Sequence, residues 1–225
     1  MIPALIKLIQ IKIAGTISLM NKVIRLLKSR AFHIFCSLLL GSMYILFIYA
    51  HFSGFLKTHE ITLLLFGLSE SLLVFFYVFR SQPNTISVDF YDWLIAIVGT
   101  FAPLFFRPTE WGVLPMARYA IIVGAALQMM SILSLNRSFA LVAANRIIKT
   151  QWMYRFVRHP IYASYGIIFF GYILSNTSVE NGIIYSVSMI LLYLRIIREE
   201  KLLVLDPLYR QYQLKVPYRL IPFVI

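Results

Sequence analysis

Apolar residues fall along this chain in long runs separated by short polar or basic breaks. The runs cover 31–52, 60–79, 93–106, 116–135, 161–175 and 183–197. Helical runs of about 15 to 22 residues approach or match the thickness of a ~30 Å hydrocarbon core. The pattern therefore predicts an all-α polytopic integral membrane protein with six transmembrane helices. The shorter runs require tilt or local thinning of the bilayer. Pro103 predicts a kink in the third, because it removes a backbone donor and its neighbours must satisfy the freed carbonyl.

The first thirty residues follow another pattern. At about 100° per residue, Lys7, Gln10, Ser18, Asn21, Lys22, Arg25, Lys28 and Ser29 share one arc of a helix, with Lys12 outside it. A basic stripe on an otherwise apolar helix predicts a segment lying in the membrane interface. The lysines interrupt any clean apolar stretch of the kind a signal peptide needs. The chain then divides into the interfacial helix (1–30), a four-span region (31–135) and a C-terminal region (136–225) holding a two-helix hairpin.

Composition agrees with the pattern. Of 225 residues 60% are hydrophobic and 13% charged, and the mean hydropathy is +0.79. The net charge of +12 does not point to nucleic acid, because the basic residues flank apolar runs and so report topology and anionic lipid. With a cytoplasmic N-terminus, eighteen of the 21 lysines and arginines face inward, leaving Lys57, Arg107 and Arg118 outside. That asymmetry predicts both termini in the cytoplasm. Cys36 is the single cysteine, which excludes an internal disulfide and a cysteine-built metal site. The loop 80–92 carries proline and asparagine turn chemistry. Two Asn-X-Ser triplets, at Asn136 and Asn176, fit a glycosylation pattern that also arises often by chance.

Ionisable residues inside the spans are few. Glu70 is one, and it either binds a cation or proton or pairs with a neighbouring helix or Arg118. His33, His51 and His59 sit near span ends, where snorkelling side chains are expected. The denser chemistry lies in the last ninety residues. Two polar segments there, one ending in "YRFVRHPIY" and one beginning "RIIREE", are joined by two spans and the short turn "NTSVENG". So tight a hairpin makes the two segments spatial neighbours on one membrane face. Arg195 and Glu199, four apart, share a helix face, with Glu200 one step around. Arg158 and His159 add donors, Pro160 suits the first turn of a helix, and Trp152, Tyr154, Tyr162, Tyr209 and Tyr212 add amphipathic faces. Carboxylates for hydroxyl or amino groups, arginines for a carboxylate and rings for a cationic centre suit a zwitterionic, nucleotide-like cofactor. A basic collar with an i,i+4 salt bridge would carry the same residues.

The blocks "MYRFVRHPIYASY" and, about forty residues later, "RIIREEKLL…YRQYQLKVPYRLIP" resemble the isoprenylcysteine carboxyl methyltransferase family of membrane enzymes and the related phospholipid N-methyltransferases. The resemblance covers 135–222. It implies S-adenosylmethionine as cofactor, contacted by Tyr154, His159, Pro160, Ile161 and Tyr162, by the strip Arg146, Ile147, Ile148 and Lys149, and by Glu199. Arg195 matches the arginine implicated at the substrate, and with Glu200 is the expected catalytic pair. Trp152 departs from the family, which commonly has glycine two residues before the tyrosine. The resemblance implies a lipophilic acceptor methylated at the cytoplasmic face, with no metal. Carboxyl O-methylation of an isoprenylcysteine-like substrate is favoured, since a carboxylate needs no base, only a cation such as Arg195. An amine acceptor would need a base, Glu200 or His159. The ending "VPYRLIP" is also similar to that of the NADPH-binding sterol reductases, and a scaffold or transporter subunit is the non-enzymatic alternative.

Overall fold

The computed structural model describes residues 2–27, 29–81 and 83–224. The side chains of Lys7, Gln10, Lys28 and His33, which enter the expectations above, lie outside the described ones. Eight α-helices follow in order: α1 (Ile2–Leu27), α2 (Arg30–Thr58), α3 (Ile61–Val78), α4 (Phe90–Phe101), α5 (Arg118–Leu135), α6 (Pro160–Ser175), α7 (Val179–Leu203) and α8 (Pro207–Lys215). Among the described residues, four helical segments are long and apolar enough to cross a membrane: Arg30–Thr58, Ile61–Val78, Pro115–Ser138 and Val179–Leu203. Phe90–Phe105 and Pro160–Ser175 are apolar but shorter. All six predicted runs thus fall on apolar helices, four of them of spanning length.

Helix ends follow local chemistry. Ser29, Asp89, Ser178 and Asp206 each accept a backbone N–H with a side-chain oxygen at the starts of α2, α4, α7 and α8. Pro160 opens α6 and Pro207 opens α8, where a missing N–H costs nothing. Pro103 does not kink a continuing helix as expected. Instead α4 stops at Phe101, and Pro103 sits in a 3-10 turn, Ala102–Phe105, closed by Phe106 N–H to its carbonyl at 3.2 Å.

Two apolar clusters hold the bundle. Leu73, Phe76, Tyr77, Ile132, Phe139 and Ile161 join α3, α5 and α6. Ile121, Ile168, Phe169, Leu192 and Ile196 join α5, α6 and α7. The α5–α6 contact is close because two positions lack a Cβ. One added at Gly124 would lie 2.7 Å from Ile168 Cγ1 and 3.2 Å from the Ser164 carbonyl, and one at Gly171 would lie 2.9 Å from the Ala117 carbonyl. Away from these seams, large apolar side chains such as Leu38, Leu46, Phe75, Val123 and Ile190 face outward, as a lipid-facing surface requires.

The fold is not purely α. The loop 80–92, expected to hold only turn chemistry, contains a short strand β1 (Thr85–Ile86) paired antiparallel with β2 (Ala144–Asn145). Thr85 faces Asn145 and Ile86 faces Ala144. Ser81 N–H to the Arg137 carbonyl, Asn84 N–H to the Asn145 carbonyl and Ser87 N–H to the Ala143 carbonyl, at 2.8 to 3.0 Å, extend the contact on either side. Periodicity could not show this, because two-residue strands are shorter than any pattern window. The ribbon fixes the strip 141–149 across one end of the bundle. At the opposite end Asn181, wholly buried, accepts from Arg107 N–H and donates to the Arg107 and Asn176 carbonyls, closing the α6–α7 hairpin. Asn176 itself accepts from Thr109 N–H, which gives that residue a structural task.

Replacing Gly124 by Val is expected to force α5 from α6 and to destabilise the protein by about 2 kcal/mol, the usual cost of overpacking. Thermal unfolding in detergent, with an outward-facing Val123→Ala change as control, measures it.

Candidate active site

The hairpin brings the end of α7 level with the start of α6. Glu200 is buried there and is shared by two guanidinium groups and an imidazole. Arg158 Nε lies 2.7 Å from Oε1, His159 Nε2 lies 3.1 Å from the same oxygen, and Arg219 Nε lies 2.9 Å from Oε2. Arg158 also donates from Nη1 to the carbonyls of Val216 and Pro217, at 2.9 and 2.6 Å. The backbone N–H groups of Arg158 and His159 bond the carbonyls of Tyr218 and Arg219, each at 2.9 Å. One carboxylate thus ties α6, α7 and the C-terminal tail together.

A cleft opens beside this clamp. It is lined by Arg146, Ile147, Ile148, Lys149, Tyr154, His159, Ile161, Tyr162, Arg195 and Glu199, all proposed from sequence. Pro160 and Glu200 are not among its lining residues. Pro160 is buried at the first turn of α6 and Glu200 is held in the clamp. A carboxylate engaged by two guanidinium groups has little capacity to take a proton, so Glu200 is placed as a structural anchor rather than a base. His159, bonded to that carboxylate, lines the cleft with its ring stacked on Tyr162 at 5.6 Å.

Arg195 and Glu199 share a helix face, but no salt bridge joins them among the described residues. Arg195 donates from Nη1 to Thr100 Oγ1 at 3.3 Å and from Nη2 to the Leu141 carbonyl at 2.9 Å, and stands over the Tyr162 ring at 5.3 Å. Glu199 accepts the Tyr162 hydroxyl at 2.8 Å. The i,i+4 bridge of a simple basic collar is therefore not what these residues form.

The strip 144–149 is held over the cleft from both sides. Ser138 donates to the Ile147 carbonyl at 2.8 Å, and Asn145 donates to Asp206 at 2.8 Å. Arg146 is buried, yet its Nε and Nη1 have no protein partner. Burial, with Arg80 nearby, pushes its pKa down to about 10, so it is still a cation at neutral pH. Tyr209, on the same cleft, is buried with its hydroxyl unpartnered, and burial raises its pKa. Tyr212 donates to the Tyr154 carbonyl at 2.6 Å, packing α8 against the turn Trp152–Arg155. Trp152, where the family commonly has glycine, adopts φ 55°. That left-handed backbone is one that glycine adopts without steric cost.

Beyond Arg195 the cleft meets a chamber of about 1300 Å³ between α2, α3, α5, α6 and α7. Tyr44, Leu73, Thr100, Tyr162, Tyr165 and Arg195 line both spaces. Sequence reasoning assigned no role to Tyr44, Leu73 or Thr100, all from the N-terminal half. The usable signal was a tyrosine and a threonine inside otherwise apolar spans.

Residues 116–211 match the family model of the phospholipid methyltransferases. The match runs from just before α5 into α8, and so begins earlier and ends earlier than the stretch read from the motifs. It includes every cleft residue proposed from sequence and excludes Tyr44, Leu73, Thr100 and Arg219. No curated protein matches the chain.

Removing the clamp carboxylate by Glu200→Ala leaves Arg158 buried against Arg219 and is expected to cost about 3 kcal/mol, read as a lowered unfolding temperature. Trp152→Gly is expected to gain about 1 kcal/mol by relieving the left-handed backbone, with the same measurement showing a rise.

Proposed function

We propose that this protein is an integral-membrane methyltransferase that uses S-adenosylmethionine to methylate the amine of a lipid. The observation carrying this reading is the unmet polar chemistry of the cleft. Two buried guanidinium nitrogens of Arg146 and the Tyr209 hydroxyl lack partners, while Glu199 accepts the Tyr162 hydroxyl and forms no salt bridge among the described residues. Unpartnered buried donors favour an anionic ligand group, and the lone carboxylate favours an amino group or ribose hydroxyls. A zwitterionic amino-acid nucleoside offers both. The match over 116–211 supports the same conclusion, since that family generally uses this cofactor.

In this reading Arg146 and Tyr209 hold the carboxylate end of the cofactor and Glu199 its amino or hydroxyl groups. Tyr154 and Tyr162 present rings towards a cationic centre. The cofactor supplies an electrophilic methyl group on a sulfonium, and catalysis consists largely of alignment and exclusion of water. The chamber admits the lipid from the bilayer, and its junction with the cleft at Arg195 and Tyr162 is where the two reactants meet. Both terminal nitrogens of Arg195 already serve Thr100 and Leu141, so it acts there as a tether for the strip rather than a free carboxylate clamp. That favours an amine acceptor over the carboxylate expected from sequence, in keeping with the matched family. Six spans, both termini in the cytoplasm and a cytoplasmic cleft complete the proposal, with α1 along the interface.

Calorimetric titration of the detergent-solubilised protein tests it. S-adenosylmethionine is expected to bind and NADPH not to bind. Arg146→Met and Glu199→Gln are each expected to weaken binding about tenfold, the equivalent of one charge-assisted hydrogen bond. A folded wild type that ignores S-adenosylmethionine would overturn the reading.

A further inference from the structure

Methylating an amine near neutral pH requires that an ammonium first lose a proton, and in the reading above the cleft-lining carboxylate, Glu199, is taken by the cofactor. His159 and Glu200, the residues named for that task from sequence, are bound together and held by Arg158 and Arg219. A second histidine–carboxylate pair stands in the chamber. His51 of α2 and Glu70 of α3 meet through Nδ1 and Oε2 at 2.9 Å, and neither makes an ion pair with an arginine or lysine among the described residues. Their side chains keep 26% and 18% of their exposure, and both line the chamber.

That exposure bears on the role. A pair serving only to hold α2 against α3 needs no opening to the chamber, whereas one that exchanges a proton with a ligand does. Here the carboxylate meets Nδ1, which orients the ring; in the tautomer with its hydrogen on Nδ1, Nε2 carries the free lone pair. The bonding of the pair was one of the alternatives the sequence left open for Glu70. His51, expected only to snorkel at a span end, is its partner.

Glu70 is linked electrostatically to the reaction junction through two tyrosines. Tyr44 and Tyr165, which line both cleft and chamber, interact with Glu70 on one side and Arg195 on the other. The other charged or titratable groups lining the chamber are Tyr162 and Tyr172 from α6, Arg118 and Tyr119 from α5, and His59 and Glu60 at the mouth between α2 and α3. Ser188 of α7, buried against the chamber, has a hydroxyl without a partner, so a polar ligand group finds hydrogen-bonding capacity there.

We infer that His51 accepts the proton of the lipid ammonium and that Glu70 is the positioning residue that orients and stabilises it. The inference rests on the methyl-transfer reading above. One proton passes from the ammonium nitrogen to Nε2 of His51, giving an imidazolium held by Glu70. The freed nitrogen lone pair forms a bond to the methyl carbon as the carbon–sulfur bond breaks, and the electrons of that bond stay on sulfur. The product is a methylated ammonium, a neutral thioether and a protonated histidine, which returns its proton to water.

Two measurements test this. The first is methyl transfer to an ethanolamine phospholipid in nanodiscs as pH is varied. His51→Gln and Glu70→Gln are expected to bind S-adenosylmethionine as the wild type does. They are expected to lose about 100-fold in rate near neutral pH, with the deficit narrowing under alkaline conditions where the lipid amine deprotonates unaided. A constant deficit at all pH, or none, overturns the inference. The second needs no cofactor. In protein carrying isotope-labelled histidine, dodecylamine but not dodecanol is expected to shift the His51 nitrogen signals, assigned with His51→Gln, as the amine seats against the ring. Unchanged signals overturn it as well. A wild type that binds S-adenosylmethionine but leaves ethanolamine phospholipids unmethylated instead refutes the amine reading, and this inference with it.

Discussion

The carboxylate of Glu200 is the constraint on which the rest of the site depends. A lone anion at that depth would be costly to bury, and so would two arginines brought close together. Shared among Arg158, His159 and Arg219, each group offsets the burial of the others. The geometry that results fixes the start of α6, the end of α7 and the tail at residues 216–219 relative to one another. With those three in place the neighbouring Glu199, one residue along, faces the cleft rather than the clamp. Two adjacent glutamates therefore have opposite tasks. One closes the structure, and the other stays available to a ligand.

The cleft is then roofed by a strip with almost no regular structure of its own. Residues 141–149 stay in place through a two-residue ribbon, a serine, an asparagine and the guanidinium of Arg195. The Arg195 contact matters for coupling, because the same side chain also reaches Thr100 on α4. The N-terminal and C-terminal halves thus also meet at Arg195, on the boundary between cleft and chamber. The stretch 116–211, matched by the phospholipid methyltransferases, supplies the proposed cofactor residues. The residues before it contribute the α2 and α3 walls of the chamber, including His51 and Glu70.

Much of this was legible from residues alone. The six apolar runs required helices, because backbone polar groups in hydrocarbon have no other partner, and the caps at Ser29, Asp89, Ser178 and Asp206 obey local rules. The short "NTSVENG" turn required the "YRFVRHPIY" and "RIIREE" segments to meet, and they do, through Tyr162 with Glu199 and Arg158 with Glu200. What sequence spacing could not decide was partner choice. Arg195 and Glu199 lie four apart, yet neither pairs with the other, because Thr100, Leu141 and Tyr162 offer each a partner set by packing across the bundle. The division of labour between Glu199 and Glu200, the ribbon at 85–86, the stop at Pro103 and the pairing of His51 with Glu70 are of the same kind. Each depends on groups dozens of residues away, or on which direction a side chain takes once neighbouring helices are fixed. Hydrophobic pattern and local chemistry determined the helices and their order. Only the tertiary structure decided which polar groups were consumed in holding them together and which were left for a ligand, because that outcome is a competition among partners that no linear pattern records.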